Sequence, residues 1–412
     1  MKISIFFLFD IRLPLVQSLY MDNFLISRIP ELYFGVGNIR QLPEILTDRG
    51  YKHIAIITGG SSFISSVYWH ELLDALDGSG IKIYHFKSTG ETSPDIVDGI
   101  VLDIKNKNID AVIAIGGGTV IDTGKAVSAM LCMPGSIVDY LEGVGTKEPT
   151  GIRKPLICIP TTSGTGSEVT KNAVITKIGK DGFKKSLRHK GYIPDIVVLD
   201  PNLVKSCPTA ITVSTGLDAI TQLLESYVSK KATPFTDALA LNGLKLAGRS
   251  LPELVKHGEN MVARSEMAYA SYLSGITLAN AGLGVVHGAA SVLGAMRSIP
   301  HGVVCGTLLG AATETIISKL STESSSDNLQ SLNKYAKACS MLTGSISNNY
   351  ETSCNKLVKT LNDWIKLFEI PVLSNYGFSK EELLNASLSI GLKNTPCNLN
   401  NSEIEAFLLK RI

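Results

Sequence analysis

The sequence predicts two domains in series, a doubly wound α/β domain with a parallel sheet over residues 21–203 and an all-helical domain over 204–412. Three observations carry this. At 412 residues the chain exceeds what one hydrophobic core usually organises. Residues 50 to 200 alternate short β-branched runs with helical patterns, the signature of parallel strands joined by crossover helices. Beyond Pro201, apolar residues recur at three- and four-residue spacing with hardly a strand-like run.

The chain opens with Lys2 and the apolar run Ile3 to Phe9, like a signal peptide, but Asp10 and Arg12 cut the run short and no small-residue cleavage site follows. Secretion is therefore not expected, and residues 1 to 20 read as a dispensable extension ahead of Met21. Five strands follow: HIAIIT at 53 to 58, IKIYHF at 81 to 86, AVIAIG at 111 to 116, PLICIP at 155 to 160 and DIVVLD at 195 to 200. They are continuously apolar, as required where helices cover both faces of a sheet. In the second half the spacing predicts helices over 212 to 231, 236 to 250, 265 to 281, 303 to 319 and 351 to 369. The polar stretch STESSSDNLQS at 321 to 331 reads as a surface loop between helices. No internal repeat is visible.

From Met267 to Met296 there is no charged side chain, a run long enough to cross a bilayer. Gly282 and Gly284 interrupt it, and Asn280 and His287 sit inside it, so a pair of buried helices lining a polar site explains it better than one lipid-facing span. Basic and acidic residues nearly balance, 39 against 37, leaving no net field to draw the protein onto nucleic acid or lipid headgroups and pointing to a small-molecule substrate. Seven cysteines form no paired motif and read as free thiols of a cytoplasmic protein.

Two loops carry the chemistry. Gly116, Gly117, Gly118 and Thr119 follow the strand AVIAI and precede a helix, where bare backbone N–H groups can hold a pyrophosphate and a β-carbon would block its approach. A tight turn is the plainer reading of the same glycines, and Asp122 with Lys125, three residues apart, could be a solvated pair. The second loop, PTTSGTGSE at 160 to 168, also follows an apolar strand and offers the hydroxyls of Thr161, Thr162, Ser163, Thr165 and Ser167. A flexible connection would look similar, but two polar loops at carboxyl strand ends of one Rossmann-like sheet favour a shared ligand crevice.

GGGTVIDTGK, followed some forty residues later by IPTTSGTGSEVT, closely resembles the iron-containing (group III) alcohol dehydrogenase family over essentially everything after Met21. The resemblance implies the dehydroquinate synthase-like two-domain fold. It also implies cofactor contacts at Gly117, Gly118, Thr119, Thr161, Thr162, Thr165 and Thr170, with Asp122 beside them and Lys184 nearby. Read without the family, Lys184 to Lys190 is a basic exposed loop. NAD-preferring relatives carry an aspartate after the first strand that grips the ribose diol; here that position is Gly59. With Gly60, Ser61 and Ser62 the turn offers donors and no carboxylate, so NADP(H) is the expected cofactor and NAD(H) the alternative.

In the helical half the resemblance points to Asp218, Gln222, His287 and His301 as holders of a divalent metal, iron first and zinc second. Singly, each has a dull explanation: a helix cap, a hydrogen-bonded core histidine, a Pro-His-Gly turn. Asp218 and Gln222 are one helical turn apart and share a face. On one continuous helix His287 and His301 would lie about 21 Å apart, so the chain must fold back between them, and Gly294 and Pro300 are where this is expected. Gln222 stands where familiar members have a histidine. That leaves three outcomes: ligation through the amide oxygen, completion by water, or loss of the metal, the first two preferred. Ser291 stands where many relatives carry a further histidine; it can pass a proton but not store one.

The expected chemistry is Lewis-acid polarisation of the oxygen of a small alcohol or aldehyde, with hydride exchanged with the nicotinamide and Asp218, His287, His301 and Ser291 at the reacting end. A homo-oligomer is expected from the family. The rivals are a dehydroquinate-synthase-like or glycerol-dehydrogenase-like enzyme of the same fold, and a nucleotide-binding protein that has given up catalysis.

Overall fold

The five apolar runs are all strands. The computed structural model describes residues 23–178 and 182–412, so the expectation about residues 1 to 20 falls outside them. In chain order the strands are β1 (Glu31–Phe34), β2 (His53–Thr58), β3 (Lys82–Lys87), β4 (Ala111–Gly116), β5 (Leu156–Pro160), β6 (Asn172–Lys177), β7 (Phe183–Arg188) and β8 (Ile196–Leu199). Six of them form a parallel sheet in the order β1-β8-β5-β4-β2-β3. Successive side chains on a strand face opposite ways. Ile54 and Ile56 therefore pack with α1 (Leu42–Asp48) and α2 (Val67–Gly78), while Ala55 and Ile57 pack with α3 (Pro94–Ile104) and α4 (Gly118–Met130). Both faces are buried, which is why alternation is invisible in the sequence.

From β2 the chain winds outward to β3 and returns to β4 on the other side of β2, a reversal that opens a crevice at the carboxyl ends of β2 and β4. Registers pairing Thr58 with Ile115 and Gly116 with Pro160 bring the turns after β2, β4 and β5 to one edge.

β1 and the antiparallel ribbon β6–β7 carry no clear sequence signal. β1 is a half-exposed edge, and the ribbon buries Ala173, Ile175 and Leu187 while exposing Lys177, Lys185 and Arg188. Lys184 therefore lies on a strand and not on a basic loop.

The helical domain comprises α5 (Thr209–Tyr227), α6 (Pro234–Lys256), α7 (Met261–Ala281), α8 (Val285–Met296), α9 (His301–Ser321), α10 (Ser326–Thr343), α11 (Tyr350–Leu367), α12 (Lys380–Ser387) and α13 (Asn401–Leu409). From Gly216 onward α5 is buried on every side, against α6, α7 and α9 among others. Polar groups on such a helix must find internal partners. The charge-free stretch divides into α7 and α8, bent by 98° at a break opened by Gly282, whose φ of 70° suits glycine alone. α9 is also long and apolar enough to cross a membrane, with 78% of that window buried inside the protein.

Two expectations change. The stretch 321 to 331 is a loop only over 322–325: the Ser325 side chain accepts from Asn328 N at 3.1 Å and starts α10, so its polarity is that of a capped first turn with Asp327 at the positive end of the helix dipole. Gly294 lies inside α8, and the chain folds back over 297–300, ending at Pro300, which precedes α9. Proline is tolerated at a helix start because no N–H is needed there.

The domains meet closely at Gly166 in the second loop. Its φ is 59°, and a β-carbon there would lie 2.4 Å from the Cα of Gly275 on α7.

Candidate active site

The two sequence-predicted loops form one structure. Gly117 precedes α4, whose first amides open on the carboxyl edge of the sheet. Thr161 N donates to Gly116 O at 2.9 Å, and a β-carbon on Gly118 would sit 2.7 Å from Thr165 Oγ1. A β-carbon on Gly117 would be 3.4 Å from Thr162 Oγ1. The neighbouring turn after β2 brings Gly59, Gly60 and Ser61 to the same edge, and a β-carbon at 59 would reach Val120 only at 3.8 Å.

Asp122 and Lys125 are not a solvated pair. Lys125 is fully buried, 3.2 Å from Asp122 Oδ1, and donates to Ser167 O and Thr170 Oγ1, both at 2.9 Å. Asp122 accepts from Ser167 Oγ and, at 2.9 Å, from Val174 N. A buried cation and its carboxylate thus pin the second loop and β6 onto α4, and Thr170 is committed to that network. Lys184 reaches across the ribbon to Glu91 Oε2 at 2.9 Å, and this lysine chiefly draws the Glu91 pKa below the usual carboxylate range against the opposing effect of burial.

A cleft of about 330 Å³ separates the domains. Gly118, Thr119, Asp122 and Thr165 line one wall, and Gln222, His287, Ser291 and His301 the other. Behind that second wall four side chains converge: donor atoms of Asp218, His287, His301 and Cys305 all lie within 4.8 Å of one another. Asp218 Oδ1 is 3.2 Å from His287 Nε2 and 3.8 Å from His301 Nε2. Cys305 Sγ is 3.6 Å from His287 Nε2 and 3.7 Å from His301 Nε2.

The charges in this cluster are coupled. Burial disfavours the Asp218 carboxylate, but His301 and His287 hold its pKa below the usual range. Burial likewise opposes the charged form of His287, yet Cys305, Asp218 and Glu225 together raise its pKa well above that of a free imidazole. His301 is shifted down, chiefly by burial and against the pull of Asp218. Burial pushes the Cys305 thiol up to about 12.

Three findings go beyond the sequence reading. Glu225 Oε2 is 2.7 Å from His287 Nδ1, and its other oxygen accepts from Val286 N at 2.7 Å, fixing the ring so that Nε2 faces the cluster. Cys305 joins the cluster from α9, four residues after His301. Gln222, expected to offer its amide oxygen, gives it to Ser274 Oγ at 2.8 Å and donates from Nε2 to Thr165 O at 3.3 Å. Spacing could have found the first two, since Glu225 is two turns from Asp218 and Cys305 one turn from His301. Only the packing of α7 against α5 reveals what Gln222 touches. Ser291 lines the cleft and donates to His287 O at 2.8 Å. Lys393, at a φ of 51°, also lines it and donates to the same carbonyl at 3.1 Å.

A doubly wound sheet that presents a glycine turn across a cleft from a buried carboxylate–imidazole cluster is the architecture of a two-domain nicotinamide-linked oxidoreductase. Residues 30–201 match the iron-containing alcohol dehydrogenase family and residues 212–412 the C-terminal part of the Fe-containing alcohol dehydrogenase family. The chain is 35% identical over 287 residues to the probable alcohol dehydrogenase EutG of Escherichia coli, covering 69% of this chain and 71% of that protein. It is 35% identical over 307 residues to the NAD-dependent methanol dehydrogenase of Bacillus methanolicus, covering 71% and 78%. The solved alcohol dehydrogenase from Oenococcus oeni superposes with a TM-score of 0.82 at 26% identity, over 95% of this chain and all of that one. The chain belongs to the iron-containing alcohol dehydrogenase family and is an oxidoreductase acting on CH–OH groups. Both family matches fall on the alcohol dehydrogenase branch expected from the two loops, and not on the rival dehydroquinate-synthase-like reading.

Proposed function

We propose that the chain oxidises small alcohols and reduces the corresponding aldehydes, with NADP(H) preferred over NAD(H), using a divalent metal held by Asp218, His287 and His301. The observation that carries this is the convergence of Asp218 Oδ1 and the Nε2 atoms of His287 and His301 on one point beside a cleft whose far wall is the Gly118–Thr119 turn. One carboxylate and two imidazoles, one of them braced by Glu225, make a donor set that suits a divalent transition metal. Bound there, the metal supplies Lewis acidity toward a substrate oxygen, and the nicotinamide, when bound, takes or returns the hydride.

The chain's own groups do the rest. Gly117 and Gly118 let the first amides of α4 approach a pyrophosphate. Leu278, Leu283 and Ala290 give the cleft an apolar wall that orients a short alkyl chain and excludes water. Ser291 donates to His287 O and keeps its oxygen lone pairs free to accept from a substrate hydroxyl; turning its O–H from that carbonyl toward solvent would let it pass on one proton as it takes another. Metal-loaded protein assayed against short alcohols, aldehydes, keto acids and semialdehydes should turn over at least one pair, with activity lost to a chelator and restored by metal. Tight NADPH binding without turnover on any of them would leave the silent binder as the answer.

Two expected results follow from particular residues. The turn after β2 holds no carboxylate, and Lys87, the register partner of Thr58, brings a cation to the same edge. Wild-type kcat/KM should therefore favour NADPH over NADH by about tenfold or more. Gly59→Asp, whose β-carbon would meet Val120 only at 3.8 Å, sets a carboxylate against a 2′-phosphate and should lower kcat/KM for NADPH by roughly a hundredfold while sparing NADH, because like-charge juxtaposition costs several kcal/mol. A tenfold wild-type preference for NADH would overturn the assignment. Glu225→Gln keeps the shape of the brace but replaces a carboxylate with an amide; metal affinity should fall roughly 10- to 100-fold, read by competition with a chromophoric chelator.

A further inference from the structure

We propose that Cys305 is the fourth protein ligand of this centre, replacing the ligand that Gln222 does not supply, and that the resulting Asp–His–His–Cys site selects zinc over ferrous iron. The inference rests on the metal-centre reading above and concerns which atoms hold the ion.

The geometry carries it. A tetrahedral zinc with nitrogen at about 2.0–2.1 Å and thiolate sulfur at about 2.3 Å sets its ligand atoms roughly 3.3–3.6 Å apart. Cys305 Sγ stands 3.6 Å and 3.7 Å from the two Nε2 atoms, and Asp218 Oδ1 stands 3.2 Å and 3.8 Å from them. Sulfur, both nitrogens and the oxygen thus already outline a polyhedron of the right size. His301 and Cys305 reach it from one face of α9, four residues apart, as Asp218 reaches it from α5. The amide oxygen of Gln222 stands 2.8 Å from Ser274 Oγ and its NH₂ is directed at Thr165 O, so the residue one turn after Asp218 serves as a strut between α5, α7 and the second loop. Cys305 Sγ lies against the two imidazoles and the Asp218 carboxylate, all members of the cluster.

The chemistry of the donor set gives the selectivity. A thiolate is softer than an imidazole or an amide oxygen and favours zinc over ferrous iron, and with four protein donors a substrate oxygen would enter as a fifth ligand in an expanded shell. Binding the ion displaces the Cys305 thiol proton to solvent, and the thiolate so formed adds a second negative charge beside Asp218, so the two anions neutralise a divalent ion that would keep a net positive charge with an amide in that place.

Cobalt(II) bound to the metal-free full-length protein tests this directly. At one equivalent the wild type should show an intense near-ultraviolet sulfur-to-cobalt charge-transfer band. Cys305→Ser should lose that band and weaken cobalt binding roughly tenfold or more, by analogy with the loss seen when even an outer partner is removed. Gln222→Ala should keep the band. In a zinc/iron(II) competition under anaerobic conditions the wild type should retain zinc by elemental analysis. Cobalt bound without the band, a band unchanged in Cys305→Ser, or preferential retention of iron would each overturn the proposal; if the serine variant fails to fold, the wild-type band and the competition still decide it. Turnover without the band leaves the dehydrogenase reading standing and removes the thiolate. The band without turnover does the reverse.

Discussion

Asp218→Asn is expected to lower kcat/KM for alcohol oxidation by roughly a thousandfold, with NADPH affinity essentially unchanged. The substitution keeps the shape of a side chain that is 1% exposed and removes only its charge. That carboxylate faces the Nε2 atoms of both imidazoles, at 3.2 Å and 3.8 Å, and is the hard donor of the proposed centre. Losing the ion removes several kcal/mol of transition-state stabilisation, about 1.4 kcal/mol for each factor of ten. The glycine turn lies on the opposite wall of the cleft, so cofactor binding is a control within the same protein. Steady-state kinetics with elemental analysis of the purified variant checks this. Full turnover by metal-stripped Asp218→Asn protein would sink the metal-assisted mechanism.

Lys125→Met should destabilise the sheet domain by about 3–5 kcal/mol, the usual consequence of removing one partner from a buried ion pair. Methionine fills most of the space. It leaves Asp122 without its cation, and Ser167 O and Thr170 Oγ1 without their donor. The melting temperature should fall on the order of 10 °C. Because the same ammonium fixes the second loop against Gly118, KM for the cofactor should rise as well, whereas a change at a solvated surface pair would move neither. A variant with wild-type melting temperature and unchanged cofactor KM would show that this network is not what holds the loop.

How much of this was legible depends on whether the signal was local. The strands β2, β4, β5 and β8 announced themselves because burial on both faces makes each a nearly unbroken apolar run, and the edge strand β3 showed through its β-branched and aromatic residues although none of them is fully buried. β1 did not, being only four residues long and half-exposed, and the β6–β7 ribbon did not, since strands open to solvent on one side mix lysine and arginine with their apolar residues. The two loops stood out by composition, and Asp218, His287 and His301 by their match to a family pattern. Glu225 and Cys305 lay at helical spacing from them but in no motif, and a lone glutamate or cysteine on an apolar helix has many uses.

The sequence by itself determined the order of the elements, the two polar loops at the carboxyl edge of the sheet and the presence of a carboxylate with two histidines, because each is encoded within a few consecutive residues or a short spacing. Only the tertiary structure decided which side chains share a centre. The bend over 297–300, the packing of α7 on α5 and the approach of α9 to α5 turn Gln222 toward Ser274 and Thr165 and carry Cys305 to within 3.7 Å of both imidazoles. Such proximity arises between residues far apart along the chain, where distance is set by how helices pack and not by how they are spelled.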